Sequence, residues 1–397
     1  MSEGVTVGVG PVRLPAAHRW RRLPLRSLIV GVVALGLAWL AVVADLVEPE
    51  RALRSYLVAF LFVATIGLGA LFFVLVQWVT RAGWSVVARR LAEPLAGALP
   101  VLLVLFVPIA LGLESIYEWT RPGAGLSPGK ERYFEEGAFL SRSLLYLGAW
   151  GLLGWLFRRG SLLQDEAAEP FWARRLRALS APALVLFAFT ATFAAFDWVM
   201  SLEVHWYSTI FGVYLFAGAV ISGLAATILI ANQLERDGTL EADGSAATRQ
   251  RYLLGLLLFG FVAFWAYVAF SQFMLIWYAS LPEETFWFAE RWTLGWRVVS
   301  IALVVGHFAV PFLWLLPKSA KLDPVTLGRV ARWLLVFHYL DLYWLVLPAT
   351  AFGGPPAIVI DLLLLTGVTA LFAAAACRLL TAGSLLPTGD PRLGEAT

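Results

Sequence analysis

The residues best placed for chemistry lie on one apolar segment, VFHYLDLYWLVLP, where His338 and Asp341 stand three apart. On a helix that spacing puts both side chains on one face, where imidazole and carboxylate can bond directly. Such a pair can accept a proton from a substrate hydroxyl or relay one along a path. It can equally be a satisfied polar pair that locks its helix to a neighbour, because membrane helices use polar contacts as glue. A second group lies in FDWVMSLEVHWYSTIFGVY, with Asp197 in the last turns of one apolar run and Glu203 and His205 in the loop after it. Three titratable groups there would make an exit for protons. The plainer alternative is a solvated Glu203 beside a helix capped by Ser208 or Thr209.

His307 stands near the middle of another run, VVGHFAVPF, four residues before Pro311. The proline removes an amide donor, so a kink and a local polar pocket are expected. A haem held by His307 and His338 is disfavoured, since the chain has only four histidines and His338 already has an aspartate on offer. Tyr267 and Gln272 in AYVAFSQFML are candidates for a proton path, with packing as the ordinary alternative. Glu114 in GLESIYEW and Asp361 complete the candidates, both toward the same side as Asp197.

These residues need a bilayer to make sense. Hydrophobic residues make up 60% of the 397 and charged residues only 14%, far from the balance of a soluble globular chain. Apolar runs place about ten transmembrane helices at 26–46, 53–80, 95–116, 137–158, 176–201, 208–233, 251–279, 295–316, 328–347 and 357–380. The expectation is an all-α integral membrane protein, with a cytoplasmic head at 1–25, one polytopic membrane domain at 26–380 and a disordered tail at 381–397. The first run follows HRWRRLPLR without a small-residue cleavage site, so it reads as a retained span. The stretch 81–94, RAGWSVVARRLAEP, reads as a helix lying flat on the membrane. Gly67 and Gly69 in GLGAL offer close helix packing. Trp20, Trp78, Trp119, Trp172, Trp206 and Trp287 fall at span ends, as interfacial belts require.

Of the 30 Lys and Arg, 22 fall on the side of the two termini and 8 on the other, so both termini are expected in the cytoplasm. The acidic residues inside or at the ends of spans, Asp45, Glu114, Asp197, Asp341 and Asp361, all fall toward the outer half. The single cysteine, Cys377, excludes an intramolecular disulfide, a four-thiolate iron–sulfur cluster and a C-x-x-C-H haem attachment within this chain. No phosphate-cradling loop, H-E-x-x-H or nucleophile elbow is present. No metal and no nucleic acid is expected, so electrons carried by metals would have to come from partners.

Three segments, FDWVMSLEVHWYSTIFGVY (196–214), FWAYVAFSQFMLIWYASLPEET (264–285) and HYLDLYWLVLP (338–348), resemble the polysulfide-reductase-type, or NrfD-like, membrane proteins. Within that group they look like the F subunits of bacterial alternative complex III, and the likeness runs from about residue 53 to 348. It implies two four-helix bundles plus two extra helices in a bacterial inner membrane. It also implies a quinol:cytochrome c oxidoreductase, with an iron–sulfur subunit, multihaem c-type cytochromes and a sister NrfD-like subunit as partners. The substrate would be a quinol, of menaquinone or ubiquinone, with this chain conducting protons, binding quinone, or both. Asp197, Glu203, His205, His338 and Asp341 fall within the family's motifs. Val204 stands where the family commonly has proline, which sets the Glu203–His205 loop apart. A purely structural scaffold and an independent transporter are the competing readings; the transporter would call for an inverted pair of broken helices.

Overall fold

The computed structural model describes residues 12–167, 169–239, 244–348 and 354–396, and among these the chain is helical with no strand. Its long helices are α1 (Leu23–Val43), α2 (Pro49–Val79), α3 (Val86–Leu111), α4 (Glu136–Gln164) and α5 (Phe171–Trp198). They continue as α6 (Phe211–Arg236), α7 (Gly244–Ala279), α8 (Gly295–Leu315), α9 (Pro324–Val346) and α10 (Gly354–Ala382). Eight of them are long and apolar enough to cross a bilayer, which makes this an all-α, multi-pass membrane protein. The other two, α4 and α9, are 29 and 23 residues long. They carry Arg142, Arg158 and Arg159, or Arg329, Arg332, His338 and Asp341, which lower their apolar character.

Helix α2 is the hub. Of its most apolar stretch 94% is buried within the protein, because α3, α4, α5, α6, α9 and α10 all pack on it. A helix apolar on every side suits that position. Glycine permits its closest contact: a Cβ on Gly69 would lie 1.8 Å from the Ala219 carbonyl oxygen, and one on Gly223 would lie 2.5 Å from the Ala70 nitrogen. The two backbones of α2 and α6 touch there, as the small residues of GLGAL suggest. Helix α1 lies along α10, α7 and α9 pack against α6, and α8 packs against both α7 and α9.

Three expectations are corrected. The stretch 81–94 does not lie flat, since its residues from Val86 onward begin α3 and Val86 to Leu95 are buried apart from Val87. The charges that suggested an interface are neutralised internally. Arg90 holds Asp165 at 2.7 and 3.1 Å and Glu93 at 3.3 Å, while Arg89 pairs with Asp390 and lies 3.9 Å over the Trp78 ring. Asp390 also shows that the tail is not disordered through residues 382–396. Leu385 donates its N–H to the Val12 carbonyl at 2.8 Å and packs with Leu14, Trp20, Leu91, Leu234 and Leu380. Residues 1–11 of the expected head, 240–243 of the polar loop and Thr397 lie outside the described residues. Finally, Trp20, Trp78, Trp119, Trp206 and Trp287 are buried in the protein rather than set at an interface. Aromatic and guanidinium partners claim them: Trp206 stacks on Trp287 at 4.4 Å, and Arg291 lies 3.4 Å above Trp287.

Candidate functional site

Five helices converge on one buried polar cluster. His338 and Asp341 project from α9, Thr65 from α2, Tyr214 from α6, Trp265 from α7 and His307 from α8. The expected direct bond between His338 and Asp341 is not made. His338 Nε2 instead meets Thr65 Oγ1 at 2.8 Å, while its Nδ1 has no hydrogen-bond partner. Asp341 accepts a hydrogen bond from the Tyr214 hydroxyl and a second from Trp265 Nε1 at 3.2 Å. Its Oδ2 lies 4.0 Å from His307 Nδ1. Gly218 makes room for the cluster, because a Cβ there would stand 2.9 Å from the His338 ring.

The backbone around His307 explains its position. Residues Val304–Ala309 form a π-helical turn, a local widening often found at functional sites. Val310 N–H closes this turn onto the Val305 carbonyl. Pro311 has no N–H to continue the pattern onto Gly306, whose carbonyl is taken by Trp333 Nε1 at 2.7 Å. The expected kink is thus a π turn, and it carries His307 into the interior with the Trp265 ring 4.2 Å away. Both His307 nitrogens lack partners although the residue is fully buried. Two histidines and a carboxylate thus lie together with bonding capacity left open, an arrangement that can accept a proton and pass it on.

Two other candidate carboxylates are closed. Asp197 takes Arg142 Nε at 2.9 Å, Arg142 Nη2 at 3.1 Å and the Tyr146 hydroxyl at 2.8 Å. Asp361 takes the Arg51 guanidinium at 2.9 and 2.8 Å, Ser55 at 2.5 Å and Tyr343 at 3.1 Å. Bidentate pairs of this kind hold helices together, α4 to α5 and α2 to α10. Arg51, Arg142, Tyr146 and Tyr214 were not singled out in the sequence. Charge balance was the available signal, since each acidic residue within a span requires a counter-charge.

The remaining candidates scatter. Tyr267 is 66% exposed on the outer face of α7, and Glu114 and His205 are exposed as well. Gln272 is buried and accepts from Ser208 Oγ at 3.0 Å, which spends the hydroxyl expected to cap α6. Glu203 is partly buried at the end of a short 3₁₀ turn, outside the spans. Burial and the neighbouring Glu290 push its carboxyl up to about 7, against the opposing pull of Arg291.

Beside the cluster lies a cavity of about 870 Å³, bounded by α7, α8 and the short helix Pro282–Glu290. Tyr214 and Trp265, the two donors to Asp341, form part of its wall. Its size is that of a small-molecule site. Among the described residues no three His, Cys, Asp or Glu side chains converge as metal ligands. No protein-family model matches the chain, and no curated protein matches it.

Proposed function

We propose that this chain is a membrane subunit of a bacterial respiratory quinol:cytochrome c oxidoreductase of the alternative complex III type, and that its part is to handle protons. The observation that carries this reading is Asp341. It is buried 2% exposed between helices, bonded to Tyr214 and Trp265 and 4.0 Å from a histidine with no other partner. An ionisable group so placed in a membrane is costly and marks a functional candidate by default. A proton leaving a quinol hydroxyl would reach Asp341 through Tyr214, with His307 Nδ1 4.0 Å beyond it. The electrons would leave through the iron–sulfur and haem-bearing partners that the resemblance implies.

The architecture supports the same family. Contacts among α2, α3, α4 and α5, and separately among α6, α7, α8 and α9, suit two four-helix bundles, with α1 and α10 as the extra pair. That arrangement needs all ten long helices to span. The distribution of basic residues supports cytoplasmic termini. Asp341→Asn in the intact complex tests the function: turnover with coupled proton release is expected to fall roughly a hundredfold or more, the usual worth of a positioned acid–base group. Normal coupled turnover would remove Asp341 from the mechanism.

The scaffold reading is favoured at two positions only. Between them, arginine and hydroxyl donors occupy both oxygens of Asp197 and both of Asp361, so their contribution is to assembly.

A further inference from the structure

Helices α4 and α5 pair antiparallel. Tyr146 on α4 meets Asp197 near the end of α5, Trp150 Nε1 donates to Thr190 Oγ1 at 2.9 Å, and Gln164 Oε1 accepts the Ala173 N–H at 2.8 Å. Near the joined ends Gly160 faces Leu176, where a Cβ on the glycine would lie 2.8 Å from Leu176 Cδ2. Arg159 and Arg175 each stand one position before a member of that contact. Because the two right-handed helices run in opposite senses, one step back along each turns the side chain to the same side of the seam. The two arginines therefore stand at one level on the two banks of a single groove.

Both are exposed, and neither has a carboxylate within ion-pair distance among the described residues. Neighbouring carboxylates go elsewhere, Asp165 to Arg90 and Glu169 to Arg174. Aromatic rings support the arginines instead. Arg159 lies 5.3 Å over Trp155, and Arg175 lies 4.3 Å over Phe171. Below the charges the groove is apolar and open. Leu152 on α4 and Leu179, Leu186 and Phe189 on α5 continue its banks toward the middle of the pair, each at least 42% exposed. Gly148 leaves a gap on the same line of α4, since a Cβ there would meet nothing within 4 Å. The charged end lies beside the chain termini: Gly389 N–H reaches Asp165 Oδ1 at 3.2 Å, and Leu385 N–H reaches the Val12 carbonyl. That side carries 22 of the 30 Lys and Arg, which favours the cytoplasmic leaflet, where anionic lipids gather.

We propose that the α4–α5 groove is a binding site for an anionic phospholipid, with Arg159 and Arg175 donating to its phosphate and its acyl chains lying along Leu152, Leu179, Leu186 and Phe189. Guanidinium forks match phosphate oxygens. A zwitterionic lipid offers the same phosphate but brings a cation that two arginines repel, so the preference falls on a headgroup of net negative charge.

The purified full chain in mild detergent, titrated with dioleoylphosphatidylglycerol and followed by native mass spectrometry, tests the site. A saturable adduct is expected, preferred over dioleoylphosphatidylcholine by roughly thirtyfold, the contribution of two basic side chains at a lipid surface. Arg159→Gln with Arg175→Gln should remove that preference and leave the melting temperature within a few degrees of wild type, because both side chains are exposed. Arg174→Gln with Arg177→Gln makes the same change in net charge on positions turned away from this bank, Arg177 by about 200° from Arg175, and should keep the preference. Gly148→Trp obstructs the groove without touching either charge and should weaken the adduct several-fold. An adduct with no preference for the anionic lipid, or a preference lost equally in both double variants, overturns the proposal, the first as annular lipid and the second as bulk charge. Displacement by glycerol phosphate at the lipid's own concentration does so too, because a free phosphate would then suffice. Release of another subunit from the purified complex by Arg159→Gln with Arg175→Gln would make a protein the occupant and overturn it as well.

Discussion

Asp197 separates a brace from a proton carrier. Asp197→Asn keeps one oxygen where there were two, and the new amide presents N–H groups to donors. Of the three bonds from Arg142 and Tyr146, at 2.9, 3.1 and 2.8 Å, the two on Oδ2 can survive on the amide oxygen and the one from Arg142 Nη2 is lost. Losing one bond to a charged group costs about 1.5–3 kcal/mol, and breaking a buried ion pair costs about 3–5 kcal/mol. The Arg142 side chain is 23% exposed, so water recovers part of the loss, and about 3 kcal/mol is expected. Thermal unfolding of the purified complex reads this as a lowered midpoint, while the folded fraction retains normal coupled turnover. Asp197→Asn combined with Arg142→Gln should recover most of the stability, because no unpaired charge remains. A variant that melts like wild type yet loses proton release would refute the argument and return Asp197 to the proton path.

Three further outcomes are expected. The Glu203 carboxyl binds its proton more tightly in the folded protein, at about 7 against an ordinary 4.5, so the folded state holds a proton the unfolded state has lost between those values. Stability should therefore fall as pH rises from about 4.5 to about 7, and Glu203→Gln should flatten that decline in melting curves recorded across the range. Gly223→Ala forces a Cβ to 2.5 Å from the α2 backbone, and a loss of about 3 kcal/mol or more is expected; accumulation of the protein in membranes at wild-type levels would contradict it. Asp390→Asn leaves the fully buried Arg89 without its tail partner, so limited proteolysis should remove the C-terminal segment faster than in wild type.

Much of the architecture was legible because a span needs little more than an uninterrupted apolar run. The expected limits of the eighth helix, 295–316, differ by one residue from Gly295–Leu315. Helix ends were harder where no glycine marks them. Asp45, Arg81 and Ser280 take left-handed backbone, with φ of 55°, 53° and 52°, in the position that glycine ordinarily fills after a helix. The Leu46 N–H reaching the Ala41 carbonyl at 3.1 Å closes the first of these ends, without a sequence signal.

The candidate site was legible as a set of residues and not as a set of bonds. Helical spacing put His338 and Asp341 on one face, but which partners they take depends on helices far away in the chain. Tyr214 is 127 positions from Asp341, and Thr65 is 273 from His338. The same distance hid Arg51 from Asp361 and Asp390 from Arg89. Arg89, Arg90 and Glu93 were misplaced at a membrane surface because their neutralising partners come from the tail and from the end of α4.

The buried hub also fixes an order of events at the ribosome. Helix α2 is made second, while α6, α9 and α10, which later cover it, are still untranslated. Until they arrive it can stand in lipid, since its middle is apolar on every side, and Arg51 near its end waits for an aspartate translated some 310 residues later. The growing chain must therefore shed lipid from α2 as each later helix arrives, and the last of them, α10, brings the carboxylate that settles the first charge.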